Sequence, residues 1–79
     1  MEKDEQELKR FLEEQLVWCR RQDQLLAKME VKYYEMKEIA EYAASTNLSS
    51  EESVHLNGEL HRLKQEIQSL EYQLQGTAH

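Results

Sequence analysis

Ala43-Ala44-Ser45-Thr46-Asn47-Leu48-Ser49-Ser50-Glu51-Glu52-Ser53-Val54-His55-Leu56 is the stretch that decides the fold. Ser45 to Ser50 is the one cluster of turn-forming residues in a chain without proline. Helical patterns run on either side of it, and their registers do not join. Ala43 closes the upstream heptads at position d, Leu56 opens the downstream ones at d, and they lie thirteen positions apart, one short of two heptads. A continuous helix would absorb that offset only through two successive three-residue discontinuities. A loop absorbs it without cost. Ser49-x-x-Glu52 also has the spacing of a capping box, in which the serine oxygen accepts from the third helical amide and the glutamate reaches back. The pattern predicts one module over 1–79: a helix over about 4–44, a loop over about 45–49, a helix over about 50–75 and a tail over 76–79. Gly76 is the expected stop of the second helix, glycine being the usual residue just past a helix end. Asn57-Gly58 is a rival turn signal, but Gly58 falls at f, the outermost heptad position, where it costs only about 1 kcal/mol.

Upstream, Asp4 to Ala44 contains neither proline nor glycine, and strong helix formers fill the surface positions. With Leu8 at d, the a/d seam reads Leu8, Leu12, Gln15, Cys19, Gln22, Leu26, Met29, Tyr33, Met36, Ala40, Ala43. Glu5 and Lys9 form the favoured i,i+4 ion-pair order, whereas Arg10–Glu14 and Lys37–Glu41 have the reverse order. Downstream, Leu56, Leu60, Leu63, Ile67, Leu70 and Leu74 alternate spacings of 4 and 3. If the chain folds back about residue 48, the a/d pairs become Ala40–Leu56, Met36–Leu60, Tyr33–Leu63, Met29–Ile67, Leu26–Leu70 and Gln22–Leu74. The expected fold class is therefore all-α: a long and a shorter helix joined by a Ser/Thr/Asn loop, as a coiled-coil hairpin.

Helical rise makes the first helix roughly 60 Å long and the second roughly 38 Å. Folded back, the second helix reaches only to about Gln22. Leu8, Phe11, Leu12, Leu16, Trp18 and Cys19 are left uncovered. The g positions of helix one are Phe11, Trp18, Leu25, Lys32 and Ile39, where a two-stranded coil carries charge. Four apolar g residues widen the stripe to a/d/g, the pattern of a helix with more than one neighbour. The simplest completion is a homodimer of hairpins, a four-helix assembly. The candidate interface comprises Leu8, Phe11, Leu12, Leu16, Trp18, Cys19, Leu25, Leu26, Met29, Tyr33 and Met36 from helix one. Helix two contributes Leu56, Leu60, Leu63, Ile67, Leu70 and Leu74.

Composition narrows the function. At 79 residues, 39% apolar and 33% charged, the chain has the make-up of a coiled coil and room for one small core. Its net charge of -6 divides as -3 over 1–15, 0 over 16–50 and -3 over 51–79. The bases of the middle, Arg20, Arg21, Lys28, Lys32 and Lys37, are interleaved with acids, so neither a nucleic-acid stripe nor an anionic-lipid face is expected. Nor is a membrane span or signal peptide, for no run of about 18 apolar residues occurs and the first residues are acidic. A lone Cys19 points to a reducing, cytoplasmic compartment and reads as a small seam residue rather than a nucleophile.

His55 and His61 are six apart and fall on different helix faces, so no metal site is expected. Leucine seams offer no water-excluding pocket, so the chain is expected to be no enzyme and to take no cofactor or small-molecule substrate. Tyr33-Tyr34-Glu35-Met36 fits a phosphotyrosine-reader pattern, but Tyr33 and Met36 are core positions in this register. Asn47-Leu48-Ser49 is a glycosylation sequon that matters only in a secreted protein. Ser49 and Ser50 before two glutamates suit an acidophilic kinase, where phosphate would meet a helix N-terminus.

Lys32 to Gln75, ending in Leu63-Lys64-Gln65-Glu66-Ile67-Gln68-Ser69-Leu70-Glu71-Tyr72-Gln73-Leu74, resembles rod segments of intermediate-filament and other cytoskeletal or centrosomal coiled coils. The shared features are heptads with Gln and Glu, which every coiled coil has, so no family is assigned and no residue role is carried over. The expected function is oligomerisation and protein binding as a structural module of an intracellular scaffold of cytoskeletal, centrosomal or trafficking type. The alternative is a small adaptor or subunit whose Phe11/Trp18/Leu25 face docks a different protein.

Overall fold

The runs before Ser45 and after Ser49 become two helices in the computed structural model, which describes residues 2–76. Helix α1 spans Glu2–Ser45 and helix α2 spans Ser50–Gly76, with no strand among the described residues. Both begin on acids, Glu2, Asp4 and Glu5 in α1 and Glu51 and Glu52 in α2, where negative charge meets the positive end of the helix dipole. The joint is short. Its closing residue, Ser49, accepts a hydrogen bond from the Glu52 amide at 3.1 Å, and its hydroxyl donates to the Glu52 carboxylate at 3.1 Å. The capping serine is thus in place, but the glutamate returns to the serine side chain rather than to its amide. Ser53 N–H closes the first helical turn on the Ser49 carbonyl at 2.9 Å.

Folding back produces a rod of 71 × 19 × 11 Å with a radius of gyration of 20.1 Å. A globular chain of this length would have a radius near 12 Å. The turn sits where the register argument puts it. Lys32 pairs with Glu66, Tyr42 with Glu52 and Tyr33 with Glu71 across the helices, about midpoints at residues 49, 47 and 52. Among the described residues, burial is confined to one patch: Leu25, Met29, Leu63 and Ile67, with Leu63 only 1% exposed.

The face that α1 turns to α2 differs from the a/d seam. Gln22, Leu25, Met29, Lys32, Met36, Ile39 and Ala43 are buried or half-buried, whereas Cys19, Leu26, Tyr33 and Ala40 are exposed. The seam therefore runs along d and g, about one position round from the expected a/d line. The expected pairs Tyr33–Leu63, Leu26–Leu70 and Ala40–Leu56 are not made as core layers. Side-chain chemistry accounts for the rotation. The d/g line brings Ile39 inward in place of the smaller Ala40, and it gives Lys32 a carboxylate partner. It also leaves the Tyr33 hydroxyl at the surface, 3.5 Å from Glu71 Oε1, to which it donates. Helix α2 keeps its expected face: Leu63 and Ile67 are buried, and Leu56, Leu60, Leu70 and Leu74 half-buried.

Gly76, the expected stop, is itself helical and is the last described residue, and no described glycine has positive φ. Met1 and the tail beyond Gly76 lie outside the described residues. Gly58 lies inside α2 as the f position required, with open space around a built-on Cβ. Gly58→Ala should therefore raise stability by about 1 kcal/mol in thermal melts followed by circular dichroism. Ser49→Ala should lower it by about 1 kcal/mol through loss of the cap, and Leu63→Ala by about 2–5 kcal/mol.

Candidate interaction surface

Where α2 ends, α1 continues. Trp18, Gln22, Gln73 and Leu74, near the end of the overlap, each make a further noncovalent contact. Below them, residues 2–21 of α1 are exposed throughout. This overhang is not a polar helix. Leu8, Phe11, Leu12 and Leu16 each keep more than half of their surface in water (58, 54, 56 and 51%). Leu8, Leu12 and Leu16 lie along one shallow groove, edged by Glu5, Lys9 and Glu13. Apolar side chains at helical spacing with charged borders are what one strand of an unclosed helix pair presents.

The stripe does not stop at the overhang. Because α2 takes d and g, the a positions of α1 stay open beside it, and Leu26 and Tyr33 are 48% and 51% exposed. Leu8, Leu12, Cys19, Leu26 and Tyr33 thus form one exposed line of d and a positions that passes alongside the hairpin. Three of the interface candidates on α1, Leu25, Met29 and Met36, are used within the chain. So are Leu63 and Ile67, while Leu56, Leu60, Leu70 and Leu74 border the same seam. The proposed Phe11/Trp18/Leu25 face is broken up: Leu25 is buried against α2, and only Phe11 and part of Trp18 remain outside. Tyr33 and Met36 do not share one buried site, for Tyr33 is exposed and Met36 half-buried. Val17, exposed at f, was not among the candidates and lies off the stripe. The signal for the second face was present in the three-position width of the a/d/g stripe, which exceeds what one neighbour covers.

Charged groups lock the seam on its opposite side. Lys32 Nζ lies 2.8 Å from Glu66 Oε2, with both side chains about two-thirds shielded. Arg62 ties the other Glu66 oxygen through a hydrogen bond of 2.6 Å and donates a second, of 2.8 Å, to Glu59. The Lys32 ammonium, aided by the Arg62 guanidinium, holds the Glu66 carboxyl below its usual range against the opposing effect of partial burial. The hydrogen bond from Arg62 does the same for Glu59. Among the described residues no group of three His, Cys, Asp or Glu side chains is placed to hold a metal ion. No helix among them is long and apolar enough to cross a membrane. No family model, no curated protein and no solved structure matches this chain.

Lowered carboxylate values in the folded state mean stability that is complete above the unfolded value, about 4.3, and is lost as pH falls through the folded values. Glu66→Gln should lower the melting temperature at pH 7. The gap between the two proteins should shrink as pH falls from about 5 toward 3, read by thermal melts across that range.

Proposed function

We propose that this chain is a coiled-coil oligomerisation module, working as a homodimer of helical hairpins, and that this assembly is its role in a larger intracellular scaffold. The observation that carries the reading is the exposed line from Leu8 to Leu26 on a helix whose other apolar face is already occupied. A helix with two apolar faces and one partner in its own chain has a face left for another chain. Self-association is the economical way to cover it, since the same stripe is present on every copy and a two-fold interface uses one patch twice. The scaffold context draws its support from the composition and the lone thiol. A different helical protein docking on this stripe is the alternative, and burial of Leu25 against α2 leaves that reading Phe11 and Trp18 of its three expected contacts.

Sedimentation equilibrium at tens of micromolar tests this reading. A mass near 19 kDa, twice the 9.5 kDa of the chain, is expected, and a stable monomer overturns it. Leu12→Glu with Leu16→Glu should give a monomer that keeps much of its helical signal, because α2 packs against residues these changes do not touch.

A further inference from the structure

We infer that two copies pair through α1 in antiparallel orientation, about a two-fold axis at the level of residue 17. This rests on the dimer proposed above and adds its geometry. Three observations converge on it: which side of α1 is open, where its charges lie, and which register lets apolar positions meet.

Helix α2 takes the d/g side of α1 from Gln22 onward. The a/e side stays open over the same stretch, with Leu26, Asp23 and Glu30 exposed. A second α1 can therefore lie along the a/e side without displacing α2. Residues 2–15 carry six acids and three bases, a net -3, while residues 19–32 carry four bases and two acids, a net +2. Parallel, in-register pairing would set the -3 half against itself. Antiparallel pairing about residue 17 sets -3 against +2, twice per dimer. Charges beside the seam choose orientation in this way in paired helices generally.

The same register satisfies the layers. Leu8 meets Leu26 of the second copy and Gln15 meets Cys19, each an a position against a d, whereas Leu12 and Glu5 fall at the levels of Gln22 and Met29, which already border α2. On the e flank, Leu16 faces Leu16 across the axis and Lys9 faces Asp23. The unfavourable flank, Glu2 against Glu30, falls at the first described residue of the helix. Shifting the axis one layer either way spoils this. Centred between residues 13 and 14, Lys9 would face Leu16 and Leu26 would stay uncovered. Centred between 20 and 21, Leu16 would face Asp23, and the -3 of residues 2–15 would meet residues 26–39, which carry no net charge. Phe11, at g, lies on the α2 side of the pair, at the level of residue 23 of the second copy. That places it by the end of the overlap, where Leu74 closes the intramolecular seam.

Two measurements test this on the whole chain. Sedimentation equilibrium first establishes the dimer, and a monomer at that stage overturns the proposed function together with this geometry. Dipolar spectroscopy then reads the separation of nitroxides on Gln6→Cys in a Cys19→Ser background. Antiparallel pairing about residue 17 sets the two labelled positions about 33 Å apart along the axis. A separation below about 15 Å means parallel pairing, and one near 22 or 43 Å means a neighbouring register, at about 1.5 Å per residue. Any of these overturns the inference while leaving the dimer standing. Independently, Lys9→Asp should weaken dimerisation roughly threefold or more, the scale of two exposed ion pairs, and Lys9→Asp with Asp23→Lys should restore it. Residues 9 and 23 are four helical turns apart in one chain, so failure of the second change to rescue the first overturns the pairing.

Discussion

The packing of Leu63 and Ile67 of α2 into the side of α1 that carries Leu25 and Met29 is the contact on which the rest of this molecule depends. It is the one fully buried apolar patch among the described residues. Each of these side chains contributes about 1.5–3 kcal/mol when removed from water. Where this patch forms decides which face of α1 is consumed within the chain. By the same act it decides which face is left over. A helix of 44 residues folded against one of 27 must leave part of its length uncovered. The patch determines that the uncovered part includes a line of a positions beside the hairpin as well as the overhang below it.

Polar interactions support this arrangement on the opposite edge. Glu66 is held by Lys32 from the facing helix and by Arg62 from its own, and Arg62 also grips Glu59. Half-exposed pairs of this sort add modest stability. Their larger effect here is on register, because Lys32 at a g position would otherwise be a poor residue to turn inward. The ion cluster lies on one flank of the seam and the exposed a positions on the other. The hairpin is thereby two-sided: one flank is closed by the ion cluster, and the other carries the exposed a positions Leu26 and Tyr33.

Net charge makes the same division along the length of α1. The acidic first turns and the basic stretch from Arg20 to Lys32 lie on one helix, too far apart to neutralise each other within a chain. The screening length is about 8–10 Å at ordinary salt, whereas the centres of the two stretches lie roughly 25 Å apart along the helix. Such a helix gains from a neighbour that runs the other way, which is the arrangement the proposed antiparallel pairing supplies.

Much of this was legible in the residues alone. Unbroken helix formers determined α1, and a leucine seam that continues in register past Asn57-Gly58 determined α2. The thirteen-residue offset and the Ser49–Glu52 spacing determined the turn and its cap. The unequal lengths determined the overhang with Leu8, Leu12 and Leu16. Each of these follows from local backbone preference or from counting, which need no knowledge of neighbours. What only the tertiary structure decided was which two of the three apolar lines on α1 face α2. Positions a, d and g all carry suitable side chains, so hydrophobic periodicity is degenerate there. The choice fell to pairwise fit across the interface, with Ile39 against Ala40 and Lys32 with Glu66 against Tyr33.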